Sequence, residues 1–262
     1  MPPTENARKR QRPVHTATLV GSQPVSPELI RLSFTCPALV GMELPYTDHY
    51  VKLMFDDVTR TYTLRTFDTA TGAFDIDFVM HGDIGLAGPW AAQAQPGESI
   101  NFKGPGGRWS PAAEYQNFVL AGDESAAPAV CAALEKLPEH ASATVYLEIN
   151  DKNSQFVVPT SPRITINWVY RDNGVYGVAL AAAVRAGGIP QEKTAWFIHG
   201  AAEMIKDLRR FLFVENSIAK QDVSISGYWR VGMSEDQWQS SKREFVAALE
   251  AEEEKLKGTP SE

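Results

Sequence analysis

Hydrophobic and polar positions alternate with a period of two through six short runs in the first hundred or so residues: HTATLVGSQ (15–23), LIRLSFTC (29–36), HYVKLMF (49–55), TRTYTLRTF (59–67), AFDIDFVMH (73–81) and ESINFKGP (98–105). Turn-forming pieces such as SPE, LPYTD, DTATG and QPGE separate them. Evenly spaced short strands punctuated this way predict a small antiparallel barrel or sandwich. A short helix is expected near Gly88–Ala92, ahead of the last run. After Ser110-Pro111 the pattern changes. NFVLAGD, TVYLEIN, ITINWVY, TAWFIHG and VSISGYW are nearly continuous apolar strands, and the segments SAAPAVCAALEKL, VYGVALAAAVRAGG and AEMIKDLRRFLFVE between them read as helices. That alternation predicts a parallel sheet with both faces covered. A final helix is expected over about 235–257, because Trp238, Phe245 and Leu249 recur at i, i+7 and i+11. The acidic run 250–254 within it reads as a solvated end.

The expected organisation is therefore a flexible arm at 1–13, a β-barrel over 14–112 and an α/β unit with a C-terminal helix over 113–262. Ligands of open α/β sheets lie at the carboxyl ends of the strands, so a crevice facing the barrel is the expected site.

Composition narrows the chemistry. The 262 residues are 44% hydrophobic and 22% charged, an ordinary globular mix. No apolar run approaches the ~20 residues of a membrane span, and the N-terminus lacks the apolar core of a secretory signal. Two cysteines, Cys36 and Cys131, are too few for a disulfide scaffold, so a reducing cytoplasm is expected. A net charge of −7 argues against a general nucleic-acid binder and restricts an anionic ligand to a local basic pocket. A monomer is the default. The motifs GxxxxGK[ST], HExxH, CxxC and GxSxG are absent, and the five histidines are scattered, so neither a metal site nor a nucleophile triad is expected. Chemistry in such a chain comes from a bound cofactor, with no catalytic side chain beyond it.

Three stretches carry candidate chemistry. In Arg60-Thr61-Tyr62-Thr63-Leu64-Arg65, a guanidinium, an aromatic ring and a hydroxyl fall within a few strand residues. The guanidinium suits a phosphate, the tyrosine offers a stacking surface, and the threonine can bond the edge of an isoalloxazine. In Phe74–Gly82, Phe74, Ile76, Phe78 and Met80 alternate toward the core, and Asp77 and His81 fall on the other face. Ala121-Gly122-Asp123-Glu124-Ser125-Ala126-Ala127-Pro128 links a strand to a helix whose N-terminus could receive a phosphate.

Together these stretches resemble the siderophore-interacting protein family, a branch of the ferredoxin–NADP reductase-like flavoproteins. RTYTLR is similar to its R-x-Y-[ST]-x-R flavin motif, DFVMHGDIG to its D-F-V-x-H-G segment, and AGDESAAPAV to its A-G-D-E-[ST]-A-x-P-A-[IV] turn. Gly227-Tyr228-Trp229-Arg230-Val231-Gly232 is similar to its G-Y-W-R-x-G. The resemblance runs from about residue 14 to 250. It implies a six-stranded antiparallel FAD-binding β-barrel, a parallel-sheet NAD(P)H-binding α/β domain, and reduction of ferric siderophores in the cytoplasm with electrons from NAD(P)H or ferredoxin. By position it implies that Arg60, Tyr62, Thr63 and Arg65 contact FAD. Asp77, His81 and the backbone around Ala87 and Gly88 would hold its ring and diphosphate. Asp123, Ser125 and Ala126 would lie near the flavin or the nicotinamide path. Lys52, matching the lysine of Y-[IV]-K-[LV], would form a basic siderophore pocket with Arg108 and Arg230. Arg171 and Lys193 are the candidates for a 2′-phosphate. Another NAD(P)H-dependent flavin oxidoreductase, or a non-catalytic siderophore-binding flavoprotein, are the alternatives.

The chain departs from the family at two places. Gly85-Leu86-Ala87-Gly88-Pro89-Trp90-Ala91 lacks the serine and arginine of G-P-A-S-R-W-A. His199-Gly200-Ala201-Ala202 lacks the glutamate of G-E-A on the NAD(P)H side. His199 itself reads as either a satisfied strand-end histidine or a ligand contact.

Overall fold

The structure, a computed structural model, describes residues 13–80 and 85–257. Its first half contains β1 (Val14–Ser26), β2 (Leu29–Thr35), β3 (Tyr50–Phe55), β4 (Val58–Thr63), β5 (Thr66–Asp68), β6 (Ala73–Val79), α1 (Ala87–Gln93) and β7 (Ser99–Gly106). The strands form one antiparallel sheet of seven in the order β4-β3-β7-β1-β2-β6-β5. The run 59–67, one strand by its alternation, is two strands here. The N–H of Leu64 donates to His49 O (2.8 Å) beside β3, and the next N–H, of Arg65, donates to Asp75 O (2.8 Å) on β6. Consecutive residues thus bond to opposite margins of the sheet, and the chain turns the corner that closes the barrel. β3 and β4 are joined by Asp56-Asp57 with Asp56 at φ +48, as a two-residue hairpin of right-handed twist requires. Leu32, Phe34, Leu53, Phe74, Ile76, Phe78 and Phe102 are fully buried inside the barrel, each side chain contributing about 1.5–3 kcal/mol through removal from water.

The second half contains β8 (Asn117–Gly122), α2 (Ala127–Glu135), β9 (Ser142–Ile149), β10 (Ile164–Tyr170), α3 (Val178–Gly187), β11 (Thr194–Ala201), α4 (Ala202–Arg209), β12 (Val223–Trp229) and α5 (Glu235–Lys257). All five strands are parallel, in the order β10-β9-β8-β11-β12. The two central strands, β8 and β11, are buried along their whole length, which explains their unbroken apolar sequences. Strand order reverses between β8 and β11, placing the topological switch point at Gly122-Asp123 and Gly200-Ala201.

α5 covers the β12 edge and ties the two halves together. Trp238 donates from its indole to Gly227 O (3.3 Å), where a Cβ would stand 2.8 Å from the ring. Leu249 enters the core beside α3 and α4. The expectation of a wholly solvated acidic end is corrected at Glu253, which is buried and accepts from Nε and Nη2 of Arg209 (2.5 and 3.0 Å). At the other end of α5, the Glu235 carboxylate accepts from Thr61 N–H (3.0 Å) and Asp236 from the Arg60 guanidinium (3.1 Å), so the helix start is docked on β4.

Candidate functional site

A cavity of about 870 Å³ opens between β3–β4 of the barrel, the start of α1, and β12 with the first turns of α5. Small-molecule and cofactor pockets span ~300–1,000 Å³. On the barrel side, antiparallel register sets Tyr50 opposite Thr63 and Lys52 opposite Thr61. Lys52, Arg60, Tyr62 and Thr63 therefore reach the cavity from two paired strands. The Tyr62 ring rests on Phe78, with centroids 4.4 Å apart, and burial pushes its phenol far above the usual range. Ala87 and Gly88 line the cavity at the start of α1. A Cβ at Gly88 would come within 3.1 Å of Val79 O, so glycine there lets the helix sit against the end of β6.

The opposite wall comes from the edge of the parallel sheet. Ser224, Ser226 and Tyr228 alternate onto one face of β12, and His199 stands opposite Ser226 on β11. His199 stacks on Phe197 (3.9 Å between centroids) and meets the Tyr228 ring edge-on (5.1 Å). Its Nε2 is 2.9 Å from Ser224 Oγ, while Nδ1 is buried without a hydrogen-bond partner. Burial, with the nearby Lys242 ammonium adding to it, lowers the imidazole pKa to about 3. Lys242 reaches in from α5 and donates to Ser226 Oγ (2.9 Å). Burial, and then the Lys52 charge, lowers its pKa. Among the described residues neither Lys52 nor Lys242 forms an ion pair. Burial raises the Glu235 carboxyl, which lies close enough to Lys52 to feel its charge.

Of the other residues expected at the site, Arg108, Ser125 and Arg230 line the cavity. The Arg108 side chain is exposed while its backbone N–H is held by Asp48 (2.7 Å). The Arg230 guanidinium lies over the Phe245 ring (5.3 Å). Asp77 borders the cavity, but its carboxylate is taken by Arg31 in a two-point pair (2.6 and 2.8 Å). Arg65 lies elsewhere: its guanidinium holds Glu135 of α2 (2.7 and 3.1 Å) and links the halves. Asp123 and Ala126 are buried behind the cavity wall. His81 lies outside the described residues, as do residues 1–12 of the expected arm. Lys242 is prominent in the cavity without having been singled out from the sequence, and Tyr228, named there within its G-Y-W-R-x-G likeness, had been given no role.

The donor set suits FAD. The Arg60 guanidinium, which Asp236 holds at 3.1 Å, and the Lys52 ammonium suit a diphosphate, an aromatic ring and a hydroxyl lie next to each other on β4, and an unpartnered imidazole nitrogen closes the far wall. The comparisons agree. Residues 18–58 and 56–109 match the siderophore-interacting FAD-binding domain, and residues 115–232 match the siderophore-interacting protein model. An uncharacterized protein of Mycobacterium tuberculosis is 32% identical, with 90% of this chain and 97% of that one covered. This chain belongs to the siderophore-interacting protein family. It is similar to the ferric vibriobactin reductase ViuB of Vibrio cholerae, 30% identical over 83% of this chain and 90% of ViuB. Among solved structures, a siderophore utilization protein from T. fusca superposes with a TM-score of 0.76 at 27% identity, covering 85% of this chain and 95% of that one. Among the described residues, no helix is long and apolar enough to cross a membrane, and no group of three or more His, Cys, Asp or Glu could hold a metal ion.

Proposed function

We propose that this protein is an FAD-dependent ferric-siderophore reductase that releases iron in the cytoplasm, drawing electrons from a cellular reductant of which NAD(P)H and reduced ferredoxin are the expected kinds. The observation that carries this reading is the meeting, in one cavity, of the β4 ring-binding set with two lysines from opposite halves that have no carboxylate partner.

Bound FAD supplies the exchange between a reductant and a one-electron acceptor. The chain supplies the rest. Arg60, with the backbone of Gly85–Gly88, would hold the diphosphate. Tyr62 would present its ring to the isoalloxazine, and Thr63 would bond its polar edge. Lys52 and Lys242 attract an anionic chelate, and their partial removal from water strengthens that attraction. Arg108 and Arg230 add charge at the cavity wall. The substrate's own chemistry completes the account. Anionic oxygen donors hold Fe(III) more tightly than Fe(II), so reduction loosens the chelate without breaking a covalent bond. Electron transfer needs no general acid or base, in keeping with a cavity where His199, the one histidine lining it among the described residues, is held neutral.

Arg60→Ala tests the flavin site. Purified wild-type protein is expected to carry FAD, and the variant to lose it, with affinity falling by about tenfold or more for the loss of a charged hydrogen bond. Retention of a full flavin complement by the variant would remove Arg60 from the phosphate site.

A further inference from the structure

Dinucleotides bind open α/β sheets at the switch point, with the diphosphate on free N–H groups of a helix N-terminus. At the switch point the N–H groups leading into α2 are spoken for. Asp123 holds three of them: its Oδ1 accepts from Ser125 N–H (2.9 Å) and its backbone O from Ala126 and Ala127 N–H (3.0 Å each). The next residue, Pro128, has no N–H. The other carboxylate oxygen of Asp123 accepts from Ala201 N–H (2.8 Å), where α4 begins, and from the Trp229 indole (2.8 Å). At α3, the fully buried Glu148 accepts from Gly177 N–H (2.9 Å) and Leu180 N–H (3.1 Å).

The space between these helix starts is filled as well. Trp229 meets Tyr176 edge-on (4.7 Å), and the Arg171 guanidinium covers the Tyr176 ring (3.7 Å) while pairing with Glu124 (2.8 Å) and Glu148 (3.3 Å). Gly200 is locked into the packing, because a Cβ there would stand 2.8 Å from the Asp123 carboxylate. The expectation that Arg171 or Lys193 serves a 2′-phosphate is thereby corrected. Arg171 is buried between two carboxylates, and Lys193 pairs with Glu114 (3.1 Å) just before β11, at the amino end of the sheet.

We propose that the α/β half of this protein has no site for the adenine-dinucleotide portion of NADH or NADPH: its switch point is a self-satisfied buttress, and the reductant reaches the flavin cavity without docking a diphosphate there. The proposal rests on the flavoprotein reading above and narrows its electron donor. A diphosphate entering the crevice would meet three carboxylates, Asp123, Glu124 and Glu148, with one guanidinium among them, Arg171, already paired to two of the three, and with the N–H groups of Ser125, Ala126 and Ala127 already taken.

Calorimetric titration tests this on the full chain. ADP-ribose and 2′-phospho-AMP are each titrated into protein held in saturating FAD, so that the barrel's own nucleotide site is filled; flavin absorbance is recorded first, and its absence would count against the FAD reading instead. The expected result is no saturable heat up to about 1 mM of either probe, the upper limit of ordinary substrate affinities. Saturable binding of either probe below that concentration would overturn the proposal.

Discussion

Burial keeps the His199 imidazole neutral, and that has a consequence for stability. Its folded pKa is about 3 against 6.5 when exposed, so between those values the unfolded chain binds a proton that the folded chain refuses. Stability from this group is fully present above pH 6.5 and declines as pH falls toward 3, by up to about 1.4 kcal/mol per pH unit. His199→Gln should therefore show a pH dependence of urea-unfolding free energy shallower by about that amount between roughly pH 4 and pH 6. An identical slope in variant and wild type would mean that His199 is not held neutral. Lys242 illustrates what the sequence conceals at this scale. It sits among Ser, Arg and Glu on a charged helix, where a lysine reads as solvated. The signal was nevertheless present: Trp238, Lys242, Phe245 and Leu249 fall at i, i+4, i+7 and i+11, so the lysine lies on the apolar stripe that the helix buries. Arg65 shows the reverse. Its motif position suggested a ligand, and only the three-dimensional approach of α2 reveals that Glu135 claims it.

At the scale of elements, the junction of α5 with β4 sets the charge of the cavity. Glu235 holds Thr61 N–H and lies near Lys52, and burial has raised its carboxyl pKa. Glu235→Gln keeps an oxygen that can accept from Thr61 but removes a negative charge facing the basic pocket. An anionic ferric chelate should then bind more tightly, by about fivefold for roughly 1 kcal/mol of relieved repulsion. Unchanged or weaker binding, read by quenching of protein fluorescence, would place the chelate away from this junction. The bounds of α5 were legible because its stripe is long and periodic. The division of 59–67 into β4 and β5 was not, because alternation continues through Leu64 and Arg65 while their N–H groups change partner strands. Closure of a barrel is a property of pairing, which no local pattern encodes.

For the whole molecule, a net charge of −7 and an anionic substrate are compatible because the cations are gathered rather than numerous. The acidic residues near the core are neutralised internally, as Glu253 is by Arg209 and Glu124 by Arg171. Lys52 and Lys242, the cavity lysines without an ion pair among the described residues, come from β3 and α5 and meet only because α5 spans both halves. The two-part architecture was readable from the switch between alternating and continuous apolar strands. The filling of the crevice was not, since Asp123, Glu148, Tyr176 and Trp229 are dispersed over a hundred residues and no pattern within a segment marks them as one another's neighbours.

Iron release from a ferric chelate bears most directly on the central claim. Under anaerobic conditions with a ferrous trap, the FAD-loaded protein is compared with an equal concentration of free FAD and the same reductant. A cavity that holds flavin and chelate together should accelerate trapping at least about tenfold, a modest share of what positioning alone can contribute. Equal rates for protein-bound and free FAD would contradict the account and leave the chain as a flavin-carrying or chelate-binding protein without catalytic function.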